Sequence, residues 1–138
     1  MGRKTCMRTV FSIAALYDGL LGGSFLVAGE RLFAAYKVAP PNHWGYIQFP
    51  AALLLVFALM FAAIARRPWQ NRNLIPYGML LKVSYCSVIG WHWWHANIPG
   101  MWVPFAVIDF VFLILFIAAW FATAHSNDAC APASPPTA

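Results

Sequence analysis

Charge is what this sequence has least of. Only 9% of its 138 residues are charged, and only four are acidic. Soluble domains carry about 25% charged residues and about 45–50% apolar ones; this chain is 62% hydrophobic. A soluble globule of this length could not hide so much apolar surface, because small domains bury only part of their chain. Lipid is the solvent that makes such a composition stable. Cysteine is sparse as well. Cys6, Cys86 and Cys130 are scattered and form no C-x-x-C, which excludes a thiol–disulfide relay built on a vicinal reactive pair. There is no nucleophile elbow, no phosphate-binding glycine loop and no paired catalytic carboxylate motif. No internal repeat is present, and the length predicts one domain without a second soluble module.

The net charge of +5 does not indicate nucleic acid. Six of the nine basic residues flank apolar runs: Arg3, Lys4 and Arg8, then Arg66, Arg67 and Arg72. That is the pattern of topology signals, not of a surface that tracks phosphates.

Four apolar runs are present, at residues 10–28, 47–65, 74–94 and 103–124. Each approaches the ~20 residues that cross a ~30 Å hydrocarbon core as a helix. They are continuous rather than alternating, and backbone groups in lipid must pair within their own segment, so strands are excluded. The expected fold is an all-α, integral membrane four-helix bundle. A basic segment at residues 1–9 precedes it. A Pro-, Ala- and Ser-containing tail at 125–138 reads as disordered. The first run starts like a secretory signal, but Asp18 interrupts it and no A-x-A site follows, so it is read as a retained span. Gly19 and Gly23, extended backwards by Ala15, form a small-xxx-small spacing that predicts close helix contact. Pro40–Pro41 ends any helix leaving the first run. Pro50, Pro76 and Pro104 sit near the starts of the later runs, where a missing N–H costs little.

Basic residues dominate the N-terminus and the 66–73 loop. The 29–46 loop has only Arg31 and Lys37, partly offset by Glu30, and the 95–102 loop has none. The positive-inside rule therefore places both termini in the cytoplasm. Trp44, Tyr46, Trp69, Trp91, Trp93, Trp94 and Trp102 fall at run ends, where aromatic belts sit. The expected location is a bacterial inner membrane, with the bilayer as the first partner.

Asp18, Lys82 and Asp109 are the ionisable residues deep inside the runs. Each costs about 2.5–3.5 kcal/mol if unpaired. At ~1.5 Å rise per residue, Asp18 and Lys82 both lie roughly 12 Å from the cytoplasmic ends of their spans, and Asp109 roughly 9 Å below the opposite surface. The expected pair is Asp18–Lys82, with Asp109 as a second partner. It serves either as a structural ion pair that fixes register or as a proton or ligand site. Lys82, Tyr85, Ile89 and His92 share a helical face, with Cys86 and His95 close to it. Tyr17 and Gln48 could join this polar seam from neighbouring spans. Tyr17, Gln48, Cys86 and His92 are thus the ligand-binding candidates beside the centre of Asp18, Lys82, Tyr85 and Asp109. The alternative for the seam is plain interhelical hydrogen bonding.

His92 and His95, three residues apart, could hold a transition metal with His43 and Glu30 completing the shell. The competing reading is that they are hydrogen-bonded belt residues. A bis-histidine haem is disfavoured, since no other span carries an intramembrane histidine. Cys86 alone is most simply a small buried hydrophobe.

Several segments carry a resemblance. Tyr17-Asp18-Gly19-Leu20-Leu21-Gly22, Pro40-Pro41-Asn42-His43 and Gly45-Tyr46-Ile47-Gln48-Phe49-Pro50 are among them. So are Asn71-Arg72-Asn73-Leu74-Ile75-Pro76-Tyr77-Gly78, Leu81-Lys82-Val83-Ser84-Tyr85-Cys86 and Pro104-Phe105-Ala106-Val107-Ile108-Asp109. Over about residues 15–120 the chain resembles small four-span bacterial membrane proteins, and in overall shape it is similar to the DoxX-like group. The resemblance implies a fold, a bacterial inner membrane and an association with quinone-linked or thiol redox systems. It implies no catalytic residue.

Three functions follow as expectations. The first is a non-enzymatic membrane component: an accessory or assembly subunit, or a binder of a small hydrophobic ligand such as a quinone. The second is a membrane-embedded enzyme or redox protein using Asp18, Lys82 and Asp109, with or without a metal. The third is a small transporter, which would need to form homo-oligomers; the Gly19/Gly23 face could serve that. No cofactor is required by the sequence; a quinone or a transition metal is compatible with it.

Overall fold

The computed structural model describes residues 2–96 and 98–128, with side chains through Thr123. The described residues are helical throughout their ordered elements: α1 (Arg3–Ala35), α2 (Gly45–Arg66), α3 (Ile75–Ala96) and α4 (Val103–Asp128). Short 3-10 turns at Arg72–Leu74 and Gly100–Trp102 lead into α3 and α4. All four helices are long and apolar enough to cross a membrane. Each expected run lies inside one of them, save that Leu74, the first residue of the third run, ends the 3-10 turn before α3.

The boundaries differ from expectation at two places. α1 has 33 residues, so it is about 50 Å long and exceeds the hydrocarbon thickness. It absorbs the basic N-terminal segment and continues past residue 28 through a kink at Ala28 (φ −127°, ψ 20°). The connection to α2 is correspondingly short. It starts with a Schellman turn: Val38 N–H donates to Phe33 O (2.9 Å) and Lys37 N–H to Ala34 O (3.1 Å). Lys37 takes the left-handed conformation this turn requires, with φ 54°. α4 likewise runs to Asp128, beyond the expected end at 124; the remainder of the expected tail, with Cys130, lies outside the described residues.

Pro76 and Pro104 occupy the second positions of α3 and α4, as the cheap-proline argument expects. Pro50 does not. It is the sixth residue of α2, inside the helix, where its missing N–H removes a helical hydrogen bond.

The helices form two hairpins. α1 packs chiefly on α2 and α3 chiefly on α4, while α2–α3 and α1–α4 meet over shorter stretches. Small residues let α1 and α2 approach. A Cβ on Gly22 would stand 2.6 Å from the Ala51 carbonyl oxygen, and one on Gly19 would stand 3.7 Å from Ala58 Cβ. Gly23 has open space around it, so within the chain the close α1–α2 contact is made at Gly19 and Gly22 rather than at Gly19 and Gly23. The reason is register. The buried stripe of α1 steps by three and four through Ala14, Asp18, Gly22 and Phe25, and this step leaves Gly23 beside the seam.

The end of the bundle that carries the N-terminus has a dense aromatic core. Phe11 stacks on Phe116 at 4.8 Å, and Phe61 lies 5.1 Å from Phe116. Gly78 admits the Phe61 ring, which a Cβ would meet at 2.5 Å. Cationic and amide side chains close the helix ends there. Arg8 Nε donates to Ala65 O (3.3 Å), Asn71 Nδ2 to Ala63 O (2.8 Å) and Arg3 Nη2 to Ala122 O (2.9 Å). The Ala63 and Ala65 carbonyls lie in the last turn of α2, the helix end that attracts positive charge. Arg72 lies 3.8 Å over the Trp120 ring and donates to Thr123 Oγ1 at 2.9 Å. Arg3 therefore ties the start of α1 to the C-terminal part of α4, so both described ends of the chain share one end of the bundle.

The opposite end is aromatic but looser. Trp102 stacks on Phe25 at 5.7 Å, and Trp44 meets Phe33 edge-on at 5.3 Å. These two tryptophans point inward, unlike the belt position expected of them. Trp91, Trp93 and Trp94 are exposed, as a belt requires.

Candidate intramembrane charged centre and cavity

Hydrocarbon tolerates a charged side chain only when another charge or a strong dipole meets it. Asp18 of α1 and Lys82 of α3 are both 0% exposed, and Asp109 of α4 is 6% exposed. Lys82 Nζ donates to Asp18 Oδ1 at 2.8 Å and Oδ2 at 3.1 Å. The same ammonium lies 2.8 Å from Asp109 Oδ1. One lysine thus bridges the two hairpins and three of the four helices. The contact with Asp109 is an ion pair outside hydrogen-bond alignment, and Asp109 Oδ1 is left without a hydrogen-bond partner. Aromatic rings wall the ammonium: Tyr17, Phe112 and Phe61 have centroids 5.5, 5.7 and 5.8 Å from Nζ. Such faces attract a cation and exclude water from it.

The expected Asp18–Lys82 pair and its second partner Asp109 are therefore together. Tyr85 joins them at the margin, with its hydroxyl donating to Trp102 O at 3.4 Å. Tyr17 packs on Phe112 (5.6 Å), and its buried hydroxyl has no hydrogen-bond partner. Cys86 faces α4 instead, its thiol 3.5 Å from Ala106 O. Gln48 and His92 are exposed and take no part in the centre. Gln48 fails because α2 turns Ile47 and Ala51 inward, and His92 lies beyond the point where α3 is covered.

The four metal candidates do not gather. His92, His95, His43 and Glu30 are all exposed. His95 stacks on Trp91 at 4.1 Å, with Nδ1 2.9 Å from Trp91 O. His43 Nδ1 accepts from Gly45 N–H at 3.0 Å. Among the described residues no three metal-ligating side chains stand together. His95 and His43 are thus engaged within their own segments.

Beside the charged centre lies a cavity of about 340 Å³. Asp18, Asp109 and Tyr85 supply its polar groups. Its deep walls come from Phe25, Ala51, Trp102 and Phe105. Pro50, Leu53, Ser84 and Val88 also line it, and all four are exposed, so the mouth opens between α2 and α3. That is the seam where the two hairpins have little backbone contact. A volume of this size and an apolar wall with few polar groups suit a small organic ligand. The lining residues Leu54, Ser84, Trp102 and Phe105 were not legible in the sequence, since apolar residues on a lipid-compatible helix carry no mark of which face leaves a gap.

No known protein family, characterised protein or solved structure matches this chain.

Proposed function

We propose that this chain is a small polytopic inner-membrane protein that binds a small hydrophobic ligand drawn from the bilayer, rather than a catalyst. The observation that carries the reading is the lateral cavity, apolar along its walls and ending at Asp18 and Asp109. A ligand dissolved in lipid meets its mouth between α2 and α3 without crossing water. The head group then reaches a site where charge is concentrated and water is scarce, so each polar contact is strong. Both termini face the cytoplasm. Arg3, Arg8, Arg66, Arg67 and Arg72 at a single end of the bundle support this orientation, because positive charge is retained on that side. The chain's likeness to DoxX-like proteins in span number and size agrees with a bacterial inner membrane.

The test is equilibrium dialysis of the detergent-purified protein against naphthylmethanol, a neutral aromatic alcohol. Saturable one-to-one binding is expected. Ser84→Trp, which places a large ring at the mouth, should abolish it. Ile114→Trp, on an exposed face of α4, should leave it intact. Equal binding to all three proteins would mean that the probe merely partitions into detergent and that the cavity is not a site.

A further inference from the structure

We propose that the cavity selects lipophilic cations with a hydrogen-bond donor, such as protonated hydrophobic amines, through Asp109. This rests on the cavity being a ligand site. Three observations converge. First, two carboxylates face one ammonium in the centre, and among the described residues no further ion pair reaches them. The cluster therefore carries one negative charge in excess, in surroundings where an uncompensated charge is costly. Second, the excess is localised. Asp18 holds Lys82 with hydrogen bonds to both its oxygens, whereas Asp109 meets the same ammonium only as an ion pair outside hydrogen-bond alignment. Asp109 also lines the cavity, so a donor entering there meets a carboxylate that shares its single counter-charge with Asp18. Third, the walls beside it carry the rings of Phe25, Tyr85, Trp102 and Phe105. Aromatic faces stabilise a cation and give nothing comparable to an anion.

The same chemistry disfavours other heads. A quinone offers only carbonyl acceptors to a cavity whose charged lining groups, Asp18 and Asp109, are themselves acceptors. A carboxylate head would add a third negative charge. A neutral alcohol can donate to Asp109 but leaves the charge imbalance in place. An ammonium does both, and its alkyl or aryl body matches the remaining wall.

Naphthylmethylamine and naphthylmethanol have the same ring system and differ at the head. Dialysed against the full-length protein in neutral detergent micelles at neutral pH, the amine should bind roughly tenfold or more tightly than the alcohol, the scale of one hydrogen bond to a charged group. Partition into empty micelles is subtracted for each probe. Asp109→Asn should bring the two affinities together, and Asp109→Glu should restore most of the difference. Ser84→Trp should abolish both. If the native protein binds amine and alcohol equally while Ser84→Trp still blocks them, the cavity is a site but Asp109 is held neutral by a proton, and the cation assignment falls. If neither probe binds saturably, the cavity reading falls with it. Should Asp109→Asn fail to fold, the amine-to-alcohol ratio of the native protein still decides.

Discussion

The two ends of this bundle are made from the same residue types and do different things with them. At the end that carries the termini, Phe11, Phe61 and Phe116 interlock and Gly78 is cut away to admit a ring. At the other end, Phe25, Phe105 and Trp102 stand around an opening of about 340 Å³. Lipid gives helices no hydrophobic reason to associate, so close packing must be built residue by residue. The closed end is built that way. The open end is held by a few aromatic contacts, and the charged centre sits at the junction between the two. The difference separates stability from binding: one end holds the hairpins together so that the other can remain ajar.

Substitutions can break that comparison, and the largest effect is expected at the junction. Lys82→Met leaves Asp18 and Asp109 facing each other with no counter-charge, and should cost about 3–5 kcal/mol of stability in detergent unfolding. Asp18→Leu combined with Lys82→Met should recover part of that loss, since only one carboxylate then remains. If the single lysine variant unfolds like the native protein, the centre does not join the hairpins.

Next come the aromatic cores. Phe116→Ala, at a fully buried ring, should cost about 3 kcal/mol, because the neighbouring rings cannot close the gap. Phe105→Ala, already beside a void, should cost no more than about 1 kcal/mol. Thermal scans of the two variants in the same detergent measure the contrast, and equal losses would erase the distinction between ends. Smaller still is the glycine pair on α1. Gly22→Ala drives a methyl against the Ala51 carbonyl and should cost about 2 kcal/mol by overpacking. Gly23→Ala meets open space and should change stability by less than about 0.5 kcal/mol.

Much of this architecture is legible in the sequence, for physical reasons. Span number follows from hydropathy because lipid penalises every unpaired backbone group. The union of Asp18, Lys82 and Asp109 follows because an intramembrane charge must find a partner and few are present. Gly22 does not stand out in the sequence because Gly19 and Gly23 already satisfy the small-residue spacing, and only the register of Asp18 and Phe25 favours Gly22 over Gly23. The cavity is illegible for a different reason. It is a place where packing stops, and Leu53 or Val88 reads the same whether it meets lipid, a helix or a ligand.

The lysine bridge also dictates a chronology. Lys82 and Asp109 belong to the same hairpin and can neutralise each other as soon as α3 and α4 lie side by side. Asp18 belongs to the earlier hairpin and has no cation there at comparable depth. During biogenesis the first pair of spans must therefore wait with an unanswered acid until the second pair arrives, so the hairpins dock as a late and obligatory event. A chain truncated after α2 should be retained at the insertion machinery or cleared by membrane proteases, whereas a fragment carrying α3 and α4 should integrate more readily by itself.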